Sequence, residues 1–160
     1  MNPALLSSKN MCWCTPQKFF NDLNNEFHFV LDAAATPKSA KCPAFFTPEQ
    51  DGLKQSWQVG GAVFCNPPYG RDIKKWVRKA WEEAQNGTTV VLLIPARTDT
   101  SYFHEYIYHH AEIRFIRGRL QFTDEDGTPA TDAQGRAMSA PFPSMVVIYN
   151  TPTKNEGDLT

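Results

Sequence analysis

Asn66-Pro67-Pro68-Tyr69 follows directly on the apolar run Ala62-Val63-Phe64-Cys65, and these residue types in this order could hold a flat heterocycle. The apolar run predicts a strand. The prolines end it, because proline has a fixed φ and no N–H to continue a sheet ladder. Their carbonyls stay free to accept hydrogen bonds from another group. Open α/β sheets bind ligands beyond the carboxyl ends of their strands, so an amide, a free carbonyl and an aromatic ring share that edge. Asparagine meets the N6 edge of adenine with matching geometry in DNA recognition. The tetrapeptide is therefore read as a receptor for an amino-bearing ring such as adenine. Taken alone, the four residues fit a strand terminator as well; the rest of the chain favours the first reading.

The elements that must position this edge are legible from periodicity. Thr15-Pro16 predicts a helix start, with Thr as N-cap and Pro at the first helical position, followed by Phe19, Phe20, Leu23 and Phe27 at helical spacing. A short strand is expected over 27–31, ending at Asp32. Residues 36–61, dense in Pro, Lys and Gly, predict fragments only, with a strand at 44–46. Beyond the tetrapeptide, Ile73, Trp76, Val77, Ala80, Trp81 and Ala84 make one apolar stripe, and Gly87 is its stop. The run 88–94 reads as a strand buried on both faces of a parallel sheet, ended by Pro95. A helix over about 99–110 and strands at 113–116, extending to 122, and 144–149 complete the pattern. No internal repeat is evident. Strands alternating with helices predict an α/β fold with a doubly wound, mostly parallel sheet, closed by a C-terminal antiparallel hairpin of 113–122 with 144–149.

Composition bounds the class. With 160 residues the chain fits one domain over 1–150 and a polar tail over 151–160. A net charge of −1 excludes a general polyanion binder, so nucleic acid must meet a local patch. No apolar run reaches the ~20 residues of a membrane span, and a soluble cytoplasmic protein is expected. Cys12, Cys14, Cys42 and Cys65 form no CxxC pair and read as reduced thiols. His104, His109 and His110 lack a partner carboxylate pattern, so no metal is expected. Trp13, Trp57, Trp76 and Trp81 read as core or pocket wall.

Several motifs in one order carry a resemblance: Trp13-x-Thr15-Pro16 with Phe19, Leu31-Asp32-Ala33-Ala34, Asp51-Gly52-Leu53 with Trp57, Phe64 to Tyr69, 94–100 and 140–145. In this ordered set the chain resembles the S-adenosylmethionine-dependent DNA N6-adenine methyltransferases, most closely the short Dam-type enzymes of phages and prophages. The resemblance implies a Rossmann-like methyltransferase sheet and a methyl transfer to adenine N6 in duplex DNA, with a GATC-like site. It suggests a role in shielding phage DNA from restriction inside a bacterial host. It implies that Thr15 and Pro16 touch the methionine part of the cofactor, as do Asp32 and Ala33. Asp51 would lie near the cofactor's adenine, with Phe64 and Asn66 also facing the cofactor. Asn66 and the Pro67 carbonyl would take the target amino group, with Pro68 and Tyr69 completing the catalytic motif. Asp32-Ala33-Ala34-Ala35 stands where such enzymes usually carry a glycine-rich turn. Only 34 positions separate Asp32 from Asn66, so the middle of the sheet is expected to be trimmed.

The chemistry follows from the residues themselves. Adenine's exocyclic nitrogen is a poor nucleophile because its lone pair is delocalised. Two acceptors on its hydrogens favour a pyramidal nitrogen and stabilise its developing positive charge. Alignment of the nitrogen with the methyl supplies the orientational share. The base must leave the duplex, and stacking on Tyr69 would return ~1–3 kcal/mol of that cost.

For DNA contact, Arg71, Lys74, Lys75, Arg97, Arg117, Arg119 and Arg136 are the candidates; the lysines lie on the polar face of the helix after the tetrapeptide, which can equally be solvated surface. Residues 123–143 are either a DNA-reading loop or a disordered hairpin. Two other functions stay open: methylation of RNA or protein glutamine, and a non-catalytic DNA-binding or anti-restriction protein on the same scaffold. A monomer is slightly favoured.

Overall fold

The structure, a computed structural model, describes residues 13–150. Five strands form one open sheet in the order β1-β2-β3-β5-β4: β1 (Phe29–Asp32), β2 (Ala62–Cys65), β3 (Val90–Pro95), β4 (Glu112–Phe115) and β5 (Ser144–Tyr149). β1, β2 and β3 run parallel. β5 enters antiparallel between β3 and β4 and pairs with both, Val90 opposite Tyr149 on one side and Glu112 opposite Ile148 on the other. The expected hairpin is therefore present. The carboxyl ends of β1 to β4 and the start of β5 share one edge.

Strand alternation distributes side chains to two cores. Leu31, Val63, Cys65, Leu92, Ile94 and Val147 pack beneath helix α2 (Ile73–Gln85), joined by Trp57, Trp76 and Ile107. Phe29, Phe64, Val91, Leu93 and Val146 pack against helix α1 (Gln17–Phe27) and Phe122. All six residues of β3 are buried, as a strand covered on both faces requires; each large aliphatic side chain there contributes ~1.5–3 kcal/mol.

The sheet is short on the β1 side. β1 lies directly beside β2, and the chain between them holds only a 3-10 turn at Gly52–Lys54. The strand expected at 44–46 is reduced to one parallel bridge between Asp32 and Phe45. Ala44 accepts the Asp32 N–H at 3.0 Å, and Phe46 donates to the Asp32 carbonyl at 3.1 Å.

Several expectations are corrected. Phe27 ends α1, so β1 begins at Phe29. The helix expected over 99–110 is one short winding, a π-helical turn at Phe103–Ile107 closed by the Tyr108 N–H on the Phe103 carbonyl at 2.8 Å. Thr, Ser and aromatic residues are weak helix formers there, and His109 turns the chain at φ 68°. The extension of β4 toward 122 stops because Gly118 turns the backbone at φ 75°. Thr15 does not cap α1; Pro16 holds the N-cap position without a side-chain bond. Cys42 and Cys65 are free and buried, whereas Cys14 is disulfide-bonded, against the expectation of reduced thiols.

The segment after Phe122 folds into two small hairpin tips and does contain a repeat. Thr123-Asp124-Glu125-Asp126-Gly127 is echoed by Thr131-Asp132-Ala133-Gln134-Gly135. Asp124 Oδ1 accepts the Asp126 and Thr128 N–H groups, each at 2.9 Å. Asp132 Oδ1 accepts those of Gln134 at 2.9 Å and Arg136 at 3.0 Å. Each aspartate thus builds the same hairpin tip from its own backbone. The Gln121 amide bridges the pair by donating to the Ala130 and Met138 carbonyls at 3.2 and 2.6 Å.

Candidate active site

A cavity of about 820 Å³ opens at the carboxyl edge of the sheet. Its walls come from the end of β1 (Asp32), the Asp51–Leu53 turn, the β2 exit from Phe64 to Tyr69, the start of α2 (Asp72, Lys75) and the 13–15 arm. Of the positions expected at the cofactor, Thr15, Asp32, Asp51, Phe64 and Asn66 line it. Pro16 opens α1 instead, and Ala33 is wholly buried. All four residues of the Asn66–Tyr69 motif line the cavity.

Asn66 has a definite orientation. Its Nδ2 donates to the Trp13 carbonyl at 2.7 Å and to Thr15 Oγ1 at 3.1 Å. A carbonyl only accepts, so the nitrogen must face Trp13. Oδ1 is left buried and without a partner among the described residues. An unpaired buried acceptor costs about 1–3 kcal/mol.

Tyr69 is held at both ends. Its hydroxyl donates to the Leu93 carbonyl at 3.1 Å, and burial pushes its ionisation well above the usual phenol range. Its ring meets Phe142 edge-on at 5.6 Å and Phe122 at 6.2 Å. Trp13 packs edge-on to the same two rings at 5.5 and 5.4 Å. Four rings from three chain segments thus brace the site.

Asp32 is 3% exposed. Burial raises its carboxyl to about 6, against the lowering effects of the Lys41 and Ala34 N–H groups and the Lys41 charge. Oδ2 accepts the Lys41 N–H at 3.0 Å and Oδ1 that of Ala34 at 3.4 Å. Lys41, lowered by burial against the pull of Asp32, lines the same cavity.

The Asp51 turn is a strained support. Asp51 sits at φ 56° and caps the 3-10 turn through Leu53 N–H at 3.1 Å. Gly52 passes so close to β1 that a Cβ there would lie 2.2 Å from the Ala33 carbonyl oxygen. Trp57, fully buried, donates its indole N–H to the Gly52 carbonyl at 2.9 Å. Asp51, Gly52 and Trp57 therefore form one unit, with glycine required by contact.

The basic candidates divide in two. Lys74 pairs with Glu105, Lys75 with Asp72 and Arg78 with Glu82, and Arg136 pairs with Asp132 on the second hairpin. Arg71, Arg97, Arg117 and Arg119 have no carboxylate partner among the described residues and are exposed. These four follow the ends of β2, β3 and β4 in the chain, and none of them is among the residues that line the cavity.

Sequence reasoning missed Lys41, Thr36 and Ser39, which line the cavity from a stretch without periodicity. It also missed the Trp13 carbonyl, a backbone atom with no side-chain signature. Phe122 and Phe142 could have been found from their Pro- and Thr-flanked positions between strands, where lone aromatic residues need a partner surface.

An oriented asparagine, paired prolines and a tyrosine thus line one cavity at the carboxyl edge of the parallel strands. The DNA N-6-adenine-methyltransferase (Dam) family matches residues 4–160, and the chain belongs to it. It is 35% identical over 117 residues to the DNA N-6-adenine-methyltransferase of Escherichia phage T1, covering 72% of this chain and 48% of that protein. It is also 40% identical over 63 residues to YfdM of Escherichia coli (strain K12), covering 36% of this chain and 69% of YfdM. The match to the phage protein thus spans about half of that protein's length.

Proposed function

We propose that this protein transfers a methyl group from S-adenosylmethionine to the N6 amino group of an adenine flipped out of duplex DNA, at a short GATC-like site. The observation that carries the reading is the orientation of Asn66, a residue of the cavity wall whose Oδ1 is buried and has no hydrogen-bond partner among the described residues. It is an acceptor with no internal use.

The cavity suits the cofactor. Its volume lies within the ~300–1,000 Å³ of small-molecule sites, and an acid (Asp32) and a base (Lys41) face it, as an amino-acid ligand requires. When bound there, the cofactor supplies an electrophilic methyl on a sulfonium. Asp32 would hold its ammonium, and the Asp51 turn and Phe64 would flank its ring. The reading is supported by a five-stranded open sheet that ends at β1, so any trimming falls at that edge and not in the middle of the sheet.

Asn66 Oδ1 and the Pro67 carbonyl accept the two N6 hydrogens, localising the lone pair on nitrogen. With the cofactor bound, this nitrogen would take its methyl group, the carbon–sulfur electron pair staying on sulfur. The nitrogen becomes cationic, is stabilised by the two acceptors, and releases a proton to solvent. Tyr69 stacks on the extruded base. Arg71, Arg97, Arg117 and Arg119 meet phosphates, which fix register without reading sequence.

The test is incubation with tritiated cofactor and unmethylated duplex DNA, followed by nucleoside analysis. Label in N6-methyladenosine is expected, and Asn66→Ala should lower the rate by ~10²–10³-fold with cofactor affinity retained. Undiminished turnover in that variant would remove Asn66 from its role.

A further inference from the structure

We propose that Thr15 and the backbone carbonyl of Trp13 are positioning groups that hold the Asn66 amide with Oδ1 toward the substrate, and that they make this a site for asparagine rather than aspartate. The inference rests on the reading just given and assigns Thr15 to the amide, not to the cofactor.

The two ends of a primary amide are nearly isosteric, so only their partners choose between them. The Trp13 carbonyl lies 2.7 Å from Nδ2. Reversing the amide would set two acceptor oxygens against each other at that distance. Thr15 Oγ1 takes the second N–H at 3.1 Å and is itself buried. With both amide hydrogens used, the remaining valence is Oδ1, which has no partner.

The Trp13 carbonyl is itself fixed in direction. Trp13 adopts φ 43°, an uncommon backbone state for an aromatic residue. Its neighbour Cys14 exchanges two backbone hydrogen bonds with Thr123, both at 3.0 Å. Its ring is wedged on Phe122 and Phe142, the rings that also brace Tyr69. The arm at 13–15 therefore sets the amide acceptor and shares its supports with the stacking ring.

An aspartate at 66 would present an oxygen to the Trp13 carbonyl with no hydrogen between them. Only the protonated acid could donate there and leave its second oxygen as the acceptor. The wild-type amide needs no such proton.

The experiment compares wild type, Thr15→Val, Thr15→Ser and Asn66→Asp in single-turnover methylation of duplex DNA at saturating S-adenosylmethionine. Side-chain amide hydrogen exchange is measured in parallel on asparagine-labelled protein. The Asn66 signal is identified by its loss in Asn66→Ala. Thr15→Val should slow transfer by about tenfold or more, with the Kd for S-adenosylmethionine and the KM for DNA nearly unchanged, and Thr15→Ser should restore it. The activity of Asn66→Asp should rise as pH falls. In wild type the Asn66 amide should exchange at least about tenfold more slowly than that of exposed Asn86, with protection reduced in Thr15→Val. Weaker cofactor binding with unchanged transfer in Thr15→Val would overturn the proposal. So would an Asn66 amide that exchanges as fast as Asn86, or a flat pH profile in Asn66→Asp. The exchange measurement needs no turnover. Inactive wild type with a protected Asn66 amide would therefore overturn the methylation reading alone, and active wild type with a freely exchanging amide the positioning alone.

Discussion

The Asp32 carboxylate accepts the backbone N–H of Lys41 at 3.0 Å, tying the end of β1 to a wall of the cavity that the sequence leaves without periodicity. This bond and that from Ala34 offset only part of the cost of burying the charge, and the carboxyl remains raised to about 6.

A raised acid makes the folded protein the tighter proton binder. The stability linked to Asp32 is then complete below about pH 4 and is lost as pH rises through about 6. Asp32→Asn should gain on wild type by up to about 3 kcal/mol at pH 8 and by nothing at pH 4, read from denaturant midpoints. Cofactor affinity should move the opposite way. An ammonium needs the carboxylate, so affinity should drop about tenfold between pH 7 and pH 5. Calorimetric titration showing equal affinity at both values would place the ammonium elsewhere.

The contact of Gly52 with Ala33 predicts a steric penalty. Gly52→Ala would press a methyl against a carbonyl oxygen and the Trp76 ring. Overpacking of this kind costs about 1–3 kcal/mol, and thermal unfolding should show that loss. A variant as stable as wild type would mean that β1 and the Asp51 turn can separate.

The division of the basic residues predicts unequal salt effects. Replacing Arg117 or Arg119 with Ala should weaken duplex binding and lower the salt slope by about one per phosphate contact removed. Arg78→Ala removes a cation already paired with Glu82 and should leave the slope in place. Anisotropy titrations across a salt series read this directly; equal slopes in all variants would move DNA away from this edge.

The tandem hairpins predict local, not global, instability. Asp132→Ala removes an acceptor of two backbone N–H groups. Amide exchange should accelerate at Gln134 and Arg136 while the β3 amides keep their protection. Faster exchange in β3 would show that the hairpins are coupled to the sheet.

What could be read beforehand depended on whether side chains or backbone carried the information. β2, β3 and β5 were legible because burial on both faces demands uninterrupted apolar residues. The Asn66–Tyr69 loop was legible because prolines punctuate it. The winding at 103–107 was misjudged because packing of Tyr102, Phe103 and Ile107 outweighs a weak local propensity. The hairpin repeat escaped notice because only Thr, Asp and Gly recur at fixed places, while the rest of each unit varies. The partner of Asn66 at Trp13 is a carbonyl, which every residue possesses.

Among the described residues β5 is the last strand in chain order, yet it lies between β3 and β4. During synthesis, β3 must wait with one bare edge and β4 has no neighbour until residues 144–149 emerge. The sheet therefore cannot be laid down strand by strand as the ribosome moves; it closes in a single late event. A chain that stops between Phe115 and Ser144 leaves one edge of β3 and both edges of β4 unpaired, ready templates for aggregation.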